Sequence, residues 1–257
     1  MLLLIDAGNT RVKWALVACG ERESPALGRW EACGMVEHAQ VRQLCEEWRG
    51  RNVMHVLISN VAGQAMRDSL EQVMLCAFGM QPVPLEWFAS APDLAGVRNN
   101  YRQPTQLGCD RFASAIGAHA LYPGQPLIVA TCGTATTVDA ITAEGVFLGG
   151  MILPGLGLMA QSLAKNTAQL PQVAANLDVS EPFADHTDAA IVSGCISAQV
   201  GAIERAVAAH ARRHGDVQCI LSGGAAALIA PHLSVPHARV DNLVLLGLHR
   251  VAMKTTC

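Results

Sequence analysis

Apolar residues fall in short runs separated by polar turns rich in glycine, asparagine and threonine. Leu2-Leu3-Leu4-Ile5 reads as a buried strand, and Val12 to Val17 resumes after a polar, Gly-containing turn, so the pattern predicts a hairpin. A helical stretch near Val41 to Trp48 precedes an apolar strand, Val53 to Ser59, and a helix is predicted from about Met66 to Phe78. Across Thr105 to Leu121, helical spacing is carried by Leu107, Phe112, Ile116 and Ala120. Tyr122-Pro123-Gly124-Gln125-Pro126 then breaks the helix. That breaker is the predicted boundary between a domain 1–121 and a domain 122–257.

The second half opens as the first does. Leu127 to Ala130 is an apolar strand that runs into Thr131-Cys132-Gly133-Thr134-Ala135, and Thr136 to Ile141 and Val146 to Leu153 read as further strands. A buried strand, a glycine turn with hydroxyl or amide side chains and a returning strand thus occur twice, half a chain apart, which predicts a duplicated α/β unit. Gly145 to Ala164 is uncharged and long enough to span a membrane, but five glycines and Pro154 divide it into strand, turn and helix.

Composition narrows the function. The 257 residues are 51% hydrophobic and 15% charged, with a net charge of −3 and scattered Lys and Arg, so the basic patch of a nucleic-acid binder is absent and small-molecule chemistry is expected. Nine cysteines, odd in number and without a CxxC pair, predict reduced cytoplasmic thiols and no zinc site. The opening MLLLIDAGNT has no basic leader or cleavage site and is expected to be a strand of the fold.

Three turns carry candidate chemistry. Asp6-Ala7-Gly8-Asn9-Thr10 brings a carboxylate, backbone N–H groups and a hydroxyl together, with Lys13 following, a set suited to a magnesium–phosphate complex as well as to a plain hairpin turn. Gly133-Thr134, with Thr136, repeats the arrangement. Ser222-Gly223-Gly224-Ala225, after Cys219-Ile220-Leu221, has a bare backbone that an adenosine could pass closely. No GxxxxGK[ST] is present. Gly155-Leu156-Gly157-Leu158-Met159-Ala160 fits a loose dinucleotide fingerprint, but Leu170 to His186 offers no second strand with an acidic ribose ligand, so a structural turn is expected. Gly108-Cys109-Asp110-Arg111 opens the helix before the boundary, where the helix N-terminus favours an ionised Asp110 and where Arg111 can pair with an anion. His210 and His214 read as a polar helix end. Trp14, Trp30, Trp48 and Trp87 read as core or interface residues.

Six pieces in order, DAGNT at Asp6, NNYRQPTQLGCDR from Asn99 to Arg111, GTATTVDA from Gly133 to Ala140, FLGGMILPGLGLM from Phe147 to Met159, TAQLP from Thr167 to Pro171 and SGGAA from Ser222, make the chain resemble the type III pantothenate kinases. The resemblance implies an α/β, actin-like ATPase fold of two ribonuclease-H-like domains with an interdomain nucleotide cleft. It also implies a cytoplasmic homodimer that uses ATP with Mg²⁺ to phosphorylate pantothenate, the first step towards coenzyme A. Asp110 is then the general base. Asp6, Ala7, Gly8, Asn9, Thr10, Arg11, Val12, Lys13, Gly133, Thr134, Gly223 and Gly224 would bind ATP, with Asp6 holding the metal. Tyr101, Gly108, Cys109, Asp110, Arg111 and Thr187 would bind pantothenate.

The chain departs from the family's pattern at two positions. Thr131 stands where the family usually has the Asp associated with a bound K⁺ or NH₄⁺, and His186 stands where an Asn often precedes the substrate-contacting Thr. A non-catalytic, ATP-binding accessory factor for gene regulation and another small-metabolite kinase of the superfamily are the alternative readings.

Overall fold

The computed structural model describes residues 1–18, 26–79, 83–173 and 181–255. The chain divides into two compact units, Met1–Tyr122 with Asn242–Cys257, and Pro123–Asp241.

In the first unit, β1 (Leu2–Ala7), β2 (Arg11–Val17), β3 (Ala32–Glu37), β4 (His55–Asn60) and β5 (Leu85–Trp87) form one sheet in the order β3-β2-β1-β4-β5. β1 pairs antiparallel with β2 and parallel with β4, so the central strand is hydrogen-bonded on both edges. Its uninterrupted apolar run follows from burial on both faces. Leu3, Ile5, Val12, Trp14 and Leu16 point into one core, with Leu44 and Trp48 of α1 (Leu44–Trp48) and Leu70 and Val73 of α2 (Gln64–Phe78). Trp14 and Trp48 meet edge to face there, with ring centroids 6.2 Å apart. β6 (Asp93–Leu94) and β7 (Val97–Asn99) make a short antiparallel pair ahead of α3 (Cys109–Leu121).

The second unit repeats this plan. β8 (Leu127–Cys132), β9 (Ala135–Ile141), β10 (Val146–Pro154), β11 (Gln218–Ser222) and β12 (His237–Arg239) run in the order β12-β11-β8-β9-β10, the mirror listing of the first sheet. Again the leading strand pairs antiparallel with its successor and parallel with the fourth strand. α4 (Leu156–Asn166) and α5 (Thr187–His214) cover one face, and α6 (Ala226–Ile229) follows β11. By length and composition α5 could cross a membrane, but it contributes Ile191, Val192, Ile196 and Ile203 to this unit's core.

Three expectations change. The C-terminal helix α7 (Leu243–Thr255) belongs to the first unit, not to the domain 122–257, because it crosses α3 at two glycines: a Cβ on Gly117 would lie 2.6 Å from Leu243 O, and one on Gly247 would overlap Ala113 O. Cys45 and Cys76 are not thiols but a disulfide, brought together by the packing of α1 against α2 with Cα atoms 5.8 Å apart. Cys19 and Cys257 lie outside the described residues. His210 is not a polar helix end but a buried side chain whose Nε2 lies 3.0 Å from Ile141 O, with the His214 ring 4.4 Å away.

Candidate active site

The first hairpin presents a carboxylate on the sheet face opposite the Trp14 core. Asp6 lies at the end of β1, opposite Lys13 on β2 and beside Ser59 on β4. Burial, the largest influence, pushes its carboxyl up to about 7; Lys13 pulls it down, and the charge of Asp110 pushes it further up. A buried carboxylate that Lys13 does not fully compensate fits a site for a further cation. The turn is closed by Gly8 N–H donating to Arg11 O at 3.1 Å. A Cβ on Gly8 would touch only Arg11 O, at 3.5 Å, an ordinary contact. Folding does not demand glycine there.

Asp110 lies in the first turn of α3, whose N-cap is Gly108. Its Oδ1 accepts the Arg111 backbone N–H at 2.9 Å, and a Cβ on Gly108 would come within 2.6 Å of that oxygen, so glycine leaves the carboxylate its place. Burial raises the Asp110 pKa, while the Arg111 N–H and guanidinium lower it. Arg111 is buried and donates from Nη1 to Tyr101 Oη at 2.9 Å. Tyr101 is held in turn by its backbone N–H, which donates to Asn99 Oδ1 at 3.1 Å, while Asn99 Nδ2 donates to Pro104 O at 3.0 Å. Cys109 Sγ sits 3.3 Å from Ser59 Oγ, and burial pushes its thiol up, away from nucleophilic use. Asp6, Lys13, Ser59, Asp110, Arg111 and Tyr101 are thus all supplied by the first unit.

The second unit carries its own turn. Gly133 N–H donates to Ala135 O at 3.0 Å, and a Cβ on Gly133 would touch only that oxygen, at 3.5 Å. Two other glycines there answer to packing. A Cβ on Gly155 would overlap Gly133 O and one on Gly223, at φ 92°, would overlap Cys132 O, so both close against the backbone of the turn. The loose dinucleotide fingerprint is therefore a packing element behind the turn, as its lack of a partner strand predicts. A Cβ on Gly224 would meet nothing within 4 Å. Thr187 is the exposed first residue of α5, after His186, whose Nδ1 lies 2.9 Å from Asp185 Oδ1. Thr131 faces Thr137, whose Oγ1 is buried without a partner, as is that of Thr136. Among the described residues no His, Cys, Asp and Glu group of three or more forms a metal cluster.

One residue has no counterpart among the sequence expectations. His38, which begins the 3₁₀ turn after β3, places Nε2 2.8 Å from Gly8 O, behind the first turn.

The type III pantothenate kinase family model matches residues 2–209. A type III pantothenate kinase of Janthinobacterium sp. (strain Marseille) is 63% identical over 99% of this chain and 98% of its own length. One of Herminiimonas arsenicoxydans is 59% identical over all of both chains. Among solved structures, a conserved Baf-family protein of Campylobacter jejuni aligns with a TM-score of 0.64 at 16% identity, covering 99% of this chain and 98% of its own. The glucokinase of an Antarctic psychrotroph aligns at 0.51 and 11% identity, covering 98% of each chain. Likenesses this distant in sequence show the fold alone, the two-domain ribonuclease-H-like architecture of actin-like ATPases and sugar kinases.

Proposed function

The chain belongs to the type III pantothenate kinase family, and we infer that it phosphorylates pantothenate with ATP, the first step of coenzyme A biosynthesis, using Asp110 as base. The single observation carrying the site assignment is Asp110 held at the start of α3, directly before an arginine that is itself fixed on Tyr101.

In this reading Asp110 accepts the proton of the pantothenate hydroxyl as its oxygen forms the new bond to the γ-phosphorus and the bond to the ADP oxygen breaks. The Arg111 N–H keeps the Asp110 carboxylate oriented and favours its ionised form. Arg111, buried and bonded to Tyr101, pairs with the substrate carboxylate, and Tyr101 fixes its direction. The Asp6–Thr10 turn, with Arg11, Val12 and Lys13 behind it, and Gly133 and Thr134 offer backbone and hydroxyl donors to phosphate. Gly223 and Gly224 offer bare backbone to the adenosine. Magnesium entering with ATP would be held at Asp6, where it supplies positive charge against the phosphates. No carboxylate is available at Thr131 or Thr137, so a monovalent-cation site does not fit there.

A cytoplasmic homodimer belongs to the same proposal. It is supported by the exposed apolar residues Ile152 on β10 and Leu158 and Leu163 on α4, which a second copy would cover.

The test is to incubate the pure protein with ATP, Mg²⁺ and pantothenate and to look for phosphopantothenate by mass. Asp110→Asn should lower kcat by about 10²-fold or more with the melting temperature retained. A variant of near-normal turnover removes Asp110 as the base.

A further inference from the structure

We propose that His38 is a positioning residue for the nucleotide: by donating its Nε2–H to the Gly8 carbonyl, it aims the Asn9 N–H at a phosphate of ATP. This rests on the reading of Asp6–Thr10 as a phosphate turn and assigns the group that holds it.

His38 reaches the turn because of register. β3 pairs antiparallel with β2 so that Glu37 faces Arg11, the first residue after the hairpin turn, and His38, the next residue along the chain, therefore runs past Thr10 and alongside the turn itself. Its Nε2 stands 2.8 Å from Gly8 O in a half-buried setting. A carbonyl oxygen only accepts, so Nε2 carries the hydrogen, a condition met by the Nε2–H tautomer and by the imidazolium alike.

The consequence follows from peptide geometry. The Gly8 carbonyl and the Asn9 N–H belong to one planar unit, and no described peptide bond is cis, so the two groups point in opposite directions. With the carbonyl held from the His38 side, the N–H faces away from His38. Among the described residues no acceptor meets it, whereas the neighbouring Gly8 N–H is already spent on Arg11 O. A turn with one N–H closed inside it and the next aimed outward is a fixed donor for an anion.

The second unit holds a carbonyl of its shorter turn without a side chain, one position later than the Gly8 carbonyl. There the Thr134 carbonyl is held by the Gly155 N–H at 2.9 Å, which orients the Thr134–Ala135 peptide in the corresponding turn. Backbone supplies the strut in that turn because a glycine at the start of α4 closes directly on it. In the first unit the partner of the Gly8 carbonyl is the His38 ring.

The experiment compares His38→Phe, which keeps a ring and removes the donor, with His38→Gln, whose amide Nε2 restores it. Each is measured for ADP affinity in the presence of Mg²⁺ by calorimetry, for KM towards ATP and pantothenate separately, and for melting temperature. His38→Phe should weaken ADP binding and raise the ATP KM by about tenfold, the worth of one hydrogen bond to a charged ligand's donor, with the pantothenate KM unchanged and most of the loss recovered in His38→Gln. Wild-type nucleotide affinity in His38→Phe, equal losses for both substrates, or a Gln variant as impaired as Phe would overturn the proposal. Should the Phe variant not fold, His38→Glu, of the same shape as Gln but without a donor, makes the same comparison. A wild-type enzyme that binds no ADP would instead defeat the phosphate-turn reading itself.

Discussion

Asp6 and Lys13 face each other across the first hairpin, and at the same register of the second hairpin Thr131 faces Thr137. Both turns are closed by the N–H of their first glycine, on Arg11 O in one and on Ala135 O in the other, but the second is one residue shorter and the two differ in charge at this register. In the first, burial drives the carboxyl up to about 7 despite the ammonium opposite, and Asp110 adds to the rise. At this register one hairpin thus carries a carboxylate and the other only hydroxyls.

The Asp6 carboxyl leaves a mark on stability that needs no ligand. An acid whose folded pKa lies above its unfolded value stabilises the fold fully below the unfolded value, near 4, and that contribution is lost as pH rises through about 7. Melting curves of the metal-free and nucleotide-free protein should therefore fall between those limits, and Asp6→Asn should flatten the fall while raising the KM for Mg·ATP by about tenfold or more. Parallel wild-type and variant curves would mean that the carboxyl is ionised throughout.

Glycines divide by what a methyl group would meet. At Gly8 it would make an ordinary contact, so Gly8→Ala should keep the melting temperature and raise the ATP KM by about tenfold, because the methyl would occupy space meant for phosphate. At Gly155 it would overlap Gly133 O, so Gly155→Ala should lower stability by about 2 kcal/mol or more. Denaturant melts and ATP titrations on the pair separate the two roles. A Gly8→Ala enzyme with normal ATP use would leave that glycine unexplained.

Much of this was legible in the chain. Leu2–Ile5 and Leu127–Ala130 announced their strands because a central strand buried on both faces has no polar alternation to confuse it. Asp110 could be placed in the first turn of a helix, although the helix begins at Cys109 and Pro104–Gln106 forms a separate 3₁₀ turn rather than its first residues. His38 was invisible, since a single half-buried histidine after an edge strand has no local signature and its partner is 30 positions away. The return of α7 to the first unit was equally hidden: an apolar helix shows that it is buried, not against what, until Gly117 and Gly247 are seen to meet their partners' backbones.

The Cys45–Cys76 bond ties α1 to α2 across 31 positions, and Arg49 Nη2 lies 3.3 Å from one sulfur and 3.7 Å from the other. Closing a loop of that length stabilises a fold by about 4 kcal/mol through the unfolded chain. Reductant should lower the melting temperature of the oxidised protein and have no effect on Cys76→Ser. A mass that shows two free thiols at these positions in oxidised protein, with no response to reductant, would leave the pair as neighbours and not as a bond.

Thr131 decides the last prediction. A weakly bound monovalent cation must give up water, and only a nearby negative charge makes that exchange favourable. At the register of Thr131 the second hairpin offers hydroxyls instead: Thr131, Thr137 opposite it and Ser222 beside it on β11, with the Thr137 hydroxyl buried and unpartnered, while the buried Asp139 lies two positions further along β9, opposite Val129. Three neutral oxygens with no carboxylate at their own register do not compensate the loss of hydration, so activity should depend little on K⁺. The check is a titration of KCl against NaCl at constant ionic strength with product followed by mass, which separates a site from screening. Thr131→Asp sets a carboxylate between the same hydroxyls and should introduce a K⁺ requirement. Steep, K⁺-specific activation of the wild-type enzyme would show that groups other than these hold the cation, and a flat response that Thr131→Asp makes K⁺-dependent would show that this one position controls it.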